Sequence, residues 1–121
     1  SHQEALEVVA SGDIGVIPHH ATESWNTTIP HKLFDSLSFG IPVVSSDARP
    51  CQEVLAATGA GRTFRSGDAA GLAAAILAYS SPEQRAVAGA AGVAAIRAVY
   101  NWEADAARLN QLVTRIARGL N

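Results

Sequence analysis

Residues 27–47, Thr27-Thr28-Ile29-Pro30-His31-Lys32-Leu33-Phe34-Asp35-Ser36-Leu37-Ser38-Phe39-Gly40-Ile41-Pro42-Val43-Val44-Ser45-Ser46-Asp47, leave the chain few folds to choose from. Thr27 or Thr28 can accept the first orphan amides of a helix, and Pro30 suits a first turn that needs no N–H. The helix is therefore predicted to begin near Ile29. Leu33, Phe34 and Leu37 fall on one face, and Gly40 offers the left-handed residue that ends it. Pro42 can open a strand but not sit within one, so Val43 and Val44 carry a short strand bounded by Ser45, Ser46 and Asp47.

A second apolar run, Ile14-Gly15-Val16-Ile17, precedes this helix and closes at Pro18. Strand, loop, helix and strand make a βαβ unit, expected to cross over right-handedly. In such a unit the helix N-terminus lies at the carboxyl ends of the strands, where open α/β sheets bind ligands. Unpaired amides and a partial positive charge at that end attract phosphate. Lys32 adds a full charge in the same turn, and Asp35, one turn on, is placed to accept hydrogen bonds from a sugar diol. Together these residues suggest a nucleoside diphosphate as ligand.

Length permits one domain with a real core, since the chain has 121 residues. Apolar residues are 48% and charged residues 17% of the chain, a globular balance rather than a disordered one. A formal charge of −2 with no Lys/Arg cluster gives no footprint for nucleic acid. Cys51 is the single cysteine, which excludes an internal disulfide and a cysteine metal cluster and implies a reducing, cytoplasmic setting. The apolar runs stop short of the roughly 20 residues a membrane span needs.

The remaining chain reads as helices and one more strand. Residues 3–11 suit a half-buried helix stopped by Gly12, and a chain that opens on a helix leads us to expect strands upstream in a longer parent. A polar loop from Pro18 to Thr28 holds His19, His20, Glu23, Trp25 and Asn26, and loops after strands in this architecture carry function. Pro50 is expected to start a helix through Thr58, with Asp47 as its capping acceptor. Gly59-Ala60-Gly61 ends it, and Arg62–Arg65 form a third strand. Ser66-Gly67-Asp68 caps an Ala/Leu-rich helix from Ala69 to about Tyr79. Ser81 and Pro82 start another, reaching about Tyr100. Asn101 caps a last amphipathic helix, spanning 101–118 with its cap, whose apolar face is Leu109, Leu112, Val113 and Ile116, with Trp102 read as a core anchor. The fold class is α/β, Rossmann-like, with a short parallel sheet of about three strands flanked by helices, in a single domain over 1–121.

In order and spacing the chain is similar to the C-terminal lobe of the two-lobed Rossmann-type (GT-B) retaining glycosyltransferases of the sucrose-synthase and glycogen-synthase-like group, glycosyltransferase group 1 or family 4-like. The matching residues are Gly12-Asp13-Ile14-Gly15-Val16-Ile17-Pro18, Ile29-Pro30-His31-Lys32-Leu33-Phe34-Asp35, Gly40-Ile41-Pro42-Val43-Val44, Glu53, Gly59-Ala60-Gly61, Ser66-Gly67-Asp68 and Tyr100-Asn101-Trp102-Glu103. The resemblance implies a nucleotide-sugar donor, with an acid at the position of Asp35, usually glutamate, on the ribose hydroxyls. It implies that the loop and helix start at Thr27, Thr28 and Ile29 approach the diphosphate through amides, joined by Pro30, His31 and Lys32. Pro18 and His19, at the end of the first strand, are further candidates. Thr27 stands where the family has a second glutamate that contacts the sugar, and a hydroxyl cannot match that charge.

The resemblance also places a basic Arg/Lys pair and the acceptor site on upstream regions and an N-terminal lobe that these residues do not contain. Charge developing on a leaving diphosphate must be offset. The 121 residues alone are therefore expected to lack catalytic residues and turnover, while the parent transfers a sugar. The alternative is a non-catalytic interaction module of the same ancestry. A receiver-like domain would want an acidic cluster where Pro18-His19 ends the first strand. Adjacent histidines at 19 and 20 point apart, and with no HExxH spacing we expect no metal and no cofactor. The expected partners are the nucleotide sugar and the N-terminal lobe, with no nucleic acid. A peripheral membrane contact of the parent and a homodimer of this piece are also admitted. Cys51 at a helix start is open to two readings, an acidified thiol or a buried inert one.

Overall fold

The computed structural model describes residues 1–119. Three parallel strands, β1 (Gly15–Ile17), β2 (Val43–Ser46) and β3 (Gly61–Phe64), lie in the order β1-β2-β3. Six helices accompany them among the described residues: α1 (His2–Ala10), α2 (His31–Ser38), α3 (Arg49–Thr58), α4 (Ala69–Leu77), α5 (Pro82–Ala98) and α6 (Trp102–Ala117). Val16 pairs with Val44, and Val44 with Arg62. The expected three-stranded α/β architecture is present.

Strand side chains alternate between faces, and β2 shows the result. Val43, with Ile17, Leu33, Leu37, Cys51, Val54 and Leu55, forms one buried cluster beneath α2 and α3. Val44 points the other way and joins Ala75, Tyr79 and Ala88 against α4 and α5. A sheet covered on both faces buries its central strand whole, and every residue of β2 is buried, Ser45 and Ser46 as well as the two valines.

Helix ends follow their chemistry in most places. Ser1 and Glu4 form a capping box on α1. Asp68, Ser81 and Asn101 accept from Gly71, Gln84 and Ala104 N–H, starting α4, α5 and α6. Gly40 (φ +72°) ends α2 in a Schellman arrangement: Ile41 N–H donates to Ser36 O at 3.0 Å and Gly40 N–H to Leu37 O at 3.1 Å.

Four expectations need correction. α2 starts at His31 rather than near Ile29, with Pro30 as its N-cap and no side-chain cap bond. Neither Thr27 nor Thr28 caps it, because the Thr27 hydroxyl donates backwards to Glu23 O and Ser24 O. Asp47 does not cap α3 but accepts from Ser66 N–H at 2.9 Å. Trp102 is no core anchor: it is 71% exposed, because α6 runs clear of both core clusters.

Candidate functional site

Parallel strands bring three loops together at the carboxyl edge of the sheet: residues 18–30 after β1, 47–48 after β2 and 65–68 after β3. Side chains stitch them to one another. Asn26 Oδ1 accepts from Arg49 N–H at 3.0 Å, reaching across from the first loop to cap α3, whose own N-cap residue Ala48 supplies no side chain acceptor. Ser66 Oγ accepts from Ala21 N–H at 3.0 Å, while Ser66 N–H donates to Asp47. The first loop is thus tied to the third loop and to the start of α3. Asn26→Ala should cost about 1 kcal/mol, the usual value of an N-cap, and a urea titration of the variant would measure it.

Within the first loop, His19 and Trp25 stack with ring centroids 4.0 Å apart and planes 4° from parallel. Burial lowers the pKa of His19, and the nearby Lys32 charge adds to that fall. The imidazole is therefore held neutral over a wider pH range, consistent with a ring that packs by its face. Trp25 packs within the chain, on a neighbour that no spacing rule singles out.

The first turn of α2 stands between two hollows. Lys32 lines one, a groove of about 190 Å³ shared with Ser36, α1 and the open edge of β1. His31 lines the other, a cleft of about 530 Å³ walled by Phe34, Tyr100, Asn101, Trp102 and Asp105. Phe34 and Tyr100, which line this cleft, pack at 5.3 Å in a tilted pair. The N1 and N2 amides, those of His31 and Lys32, precede the first intrahelical bond and are available. Thr28 and Ile29 are exposed beside them, whereas Thr27 N–H is spent on Ser24 O at 3.2 Å and Pro30 carries no N–H. Asp35 lies one turn above His31 on α2, half-buried, and lines neither hollow.

Other candidates resolve as follows. Pro18 is exposed at the end of β1. Cys51 is buried and burial pushes its thiol up, which makes it a core residue rather than a nucleophile. Ser46 Oγ, at the end of β2, is buried without a hydrogen-bond partner. No group of three or more His, Cys, Asp or Glu side chains able to hold a metal gathers among the described residues. A larger hollow of about 540 Å³ runs along β3 between α3 and α4, past Arg62 and Thr63, away from the α2 tip.

The family model for glycosyl transferases group 1 matches residues 2–81, from α1 to the start of α5 and including every loop just described. The chain belongs to that family. Compared with curated proteins, it matches none. The matched span ends before α6, so family membership rests on the sheet, its carboxyl-edge loops and α2. This glycosyltransferase domain has no helix long and apolar enough to cross a membrane among its described residues.

Proposed function

We propose that the chain is the donor-binding part of a retaining glycosyltransferase, which takes a nucleotide sugar and passes its sugar to a hydroxyl acceptor. The supporting observation is the α2 tip at the carboxyl edge of a parallel sheet: two open amides and the Lys32 ammonium, with a hollow on either side of the helix, in a member of the glycosyl transferases group 1. In this reading the amides of Thr28, Ile29, His31 and Lys32 receive the diphosphate, with Lys32 offsetting its charge. The resemblance assigns the ribose hydroxyls to Asp35, which lines neither hollow, so in this reading the ribose lies over the α2 surface outside both. His19 and Pro18 border the same edge. The retaining stereochemistry rests on the resemblance, and transfer would break the anomeric carbon's bond to phosphate and form one to the acceptor oxygen. No metal is required where amides and a lysine carry the phosphate charge.

A second reading, a non-catalytic interaction module of the same ancestry, draws support from Thr27. Its hydroxyl is turned back onto Glu23 O and Ser24 O rather than outward, at the position where the resemblance calls for a carboxylate.

Thermal melts with UDP, GDP, ADP and TDP separate the two. A binder at tenfold its Kd gains about 1.4 kcal/mol, a rise of several degrees in Tm. One nucleotide should raise Tm, and Lys32→Ala should weaken it about tenfold, the worth of one charge-assisted bond. Flat melts with all four nucleotides would decide for the second reading.

A further inference from the structure

We infer that Asn26 is a positioning residue for the donor site: its carboxamide pins the end of the first loop to α3 and so holds the open amides of Thr28 and Ile29 in place for a diphosphate. The inference rests on the donor-binding reading and deepens it, by naming what keeps those amides still.

Residues 22–27 curl into a turn that satisfies itself. Asn26 N–H donates to Thr22 O at 2.8 Å, Thr27 N–H to Ser24 O at 3.2 Å, and the Thr27 hydroxyl to Glu23 O and Ser24 O. Trp25 stacks on His19 of the same loop. Among the described residues two hydrogen bonds leave the loop, one toward each end: Ala21 N–H to Ser66 Oγ, and Arg49 N–H to Asn26 Oδ1, both at 3.0 Å.

The second of these governs the tip. Thr28 and Ile29 lie just after Asn26, are exposed, and neither N–H has a protein partner among the described residues. They bridge a point fixed on α3, at Asn26, and the start of α2 at His31. Arg49 is a firm anchor because its amide opens α3, whose Cys51, Val54 and Leu55 lie in the buried core. Without the Asn26 bond a ligand must order the connecting residues itself, and ordering the backbone of even one residue is worth about tenfold in affinity.

The test separates positioning from capping. Asn26→Ala removes both the tether and the cap of α3. Ala48→Ser returns a cap alone: residue 48 is the N-cap, with φ −53° and ψ 123°, and a hydroxyl there accepts from the N3 amide, that of Cys51. Affinity is read by isothermal titration with UDP, GDP, ADP and TDP, stability by the urea midpoint, and the mobility of Thr28 and Ile29 by NMR order parameters. Asn26→Ala should bind about tenfold more weakly whichever nucleotide the unaltered chain takes. The double variant Asn26→Ala/Ala48→Ser should regain the urea midpoint and stay about tenfold weak, with lowered order parameters at both residues. Affinity that returns with the midpoint makes Asn26 a cap and nothing more. A single variant that binds as tightly as the unaltered chain, or order parameters that do not fall, says the same, and each of these overturns the inference while the donor reading stands. An unaltered chain that binds none of the four nucleotides removes the donor reading itself, and the inference with it.

Discussion

Gly61→Ala is expected to destabilise the fold more than Gly67→Ala or Gly89→Ala. A β-carbon at Gly61 would lie 1.9 Å from the Val43 carbonyl oxygen and 2.8 Å from its carbon, with Leu55 Cδ2 at 3.0 Å. Gly61 and Val43 are register partners in the β2–β3 ladder, so the obstruction is backbone and no rotamer change relieves it. The strands must part, and the buried cluster beneath them opens. We expect a loss of about 3 kcal/mol or more, beyond ordinary overpacking, out of a typical total of roughly 5–15 kcal/mol. Gly67→Ala is the comparison. Gly67 has φ +83° but nothing within 4 Å of a new β-carbon, so it should cost only about 1–2 kcal/mol of backbone strain. Urea midpoints followed by circular dichroism should differ widely between the two. Equal midpoints would mean the strands can move apart freely.

Gly89→Ala should also destabilise, against helix propensity. Alanine inside α5 is worth about 0.5–1 kcal/mol over glycine. Here its β-carbon would meet the Gly40 carbonyl oxygen at 2.0 Å and carbon at 2.8 Å. Gly40 is itself fixed by its left-handed φ and by the bond from its N–H to Leu37 O, so the turn after α2 cannot retreat. The clash outweighs propensity, and a net loss of about 2–3 kcal/mol is expected. Ala90→Gly, on the exposed neighbour, should lose only about 1 kcal/mol. The same Gly89 variant displaces α2 and should weaken any ligand held at its tip, which a nucleotide melt on the folded fraction would register.

Much of the fold was legible because its signals are local. Asp68, Ser81-Pro82 and Asn101 start their helices as short polar caps should, and Gly40 and Gly59 turn out of theirs with positive φ. Val43-Val44 read as a fully buried strand because both faces are covered. What misled was competition for the same groups. Thr27 looks like a cap, but the loop before α2 curls into turns of its own and takes the hydroxyl and the amide together. Asp47 sits where a cap belongs, yet Ser66 from a distant loop reaches it first, and Asn26 fills the vacated role across 23 positions. Long-range exchanges of this kind leave no spacing to read. Parallel strands do predict that the loops after them converge, and that topological rule was the one available pointer to Asn26 and Ser66. Trp102 failed differently: aromatic character alone says that a residue is costly to expose, not which surface will hide it.

Among the described residues only β2 has a hydrogen-bonding neighbour on either side. Among these residues the ladder holds no spare: detach β1 or β3 and what survives is a two-stranded ribbon that depends wholly on its covering helices. With β2 paired on both sides and covered on both faces, slow amide exchange should concentrate at Val43, Val44 and Ser45. These sites should all surrender protection in one concerted opening rather than fraying inward from an end.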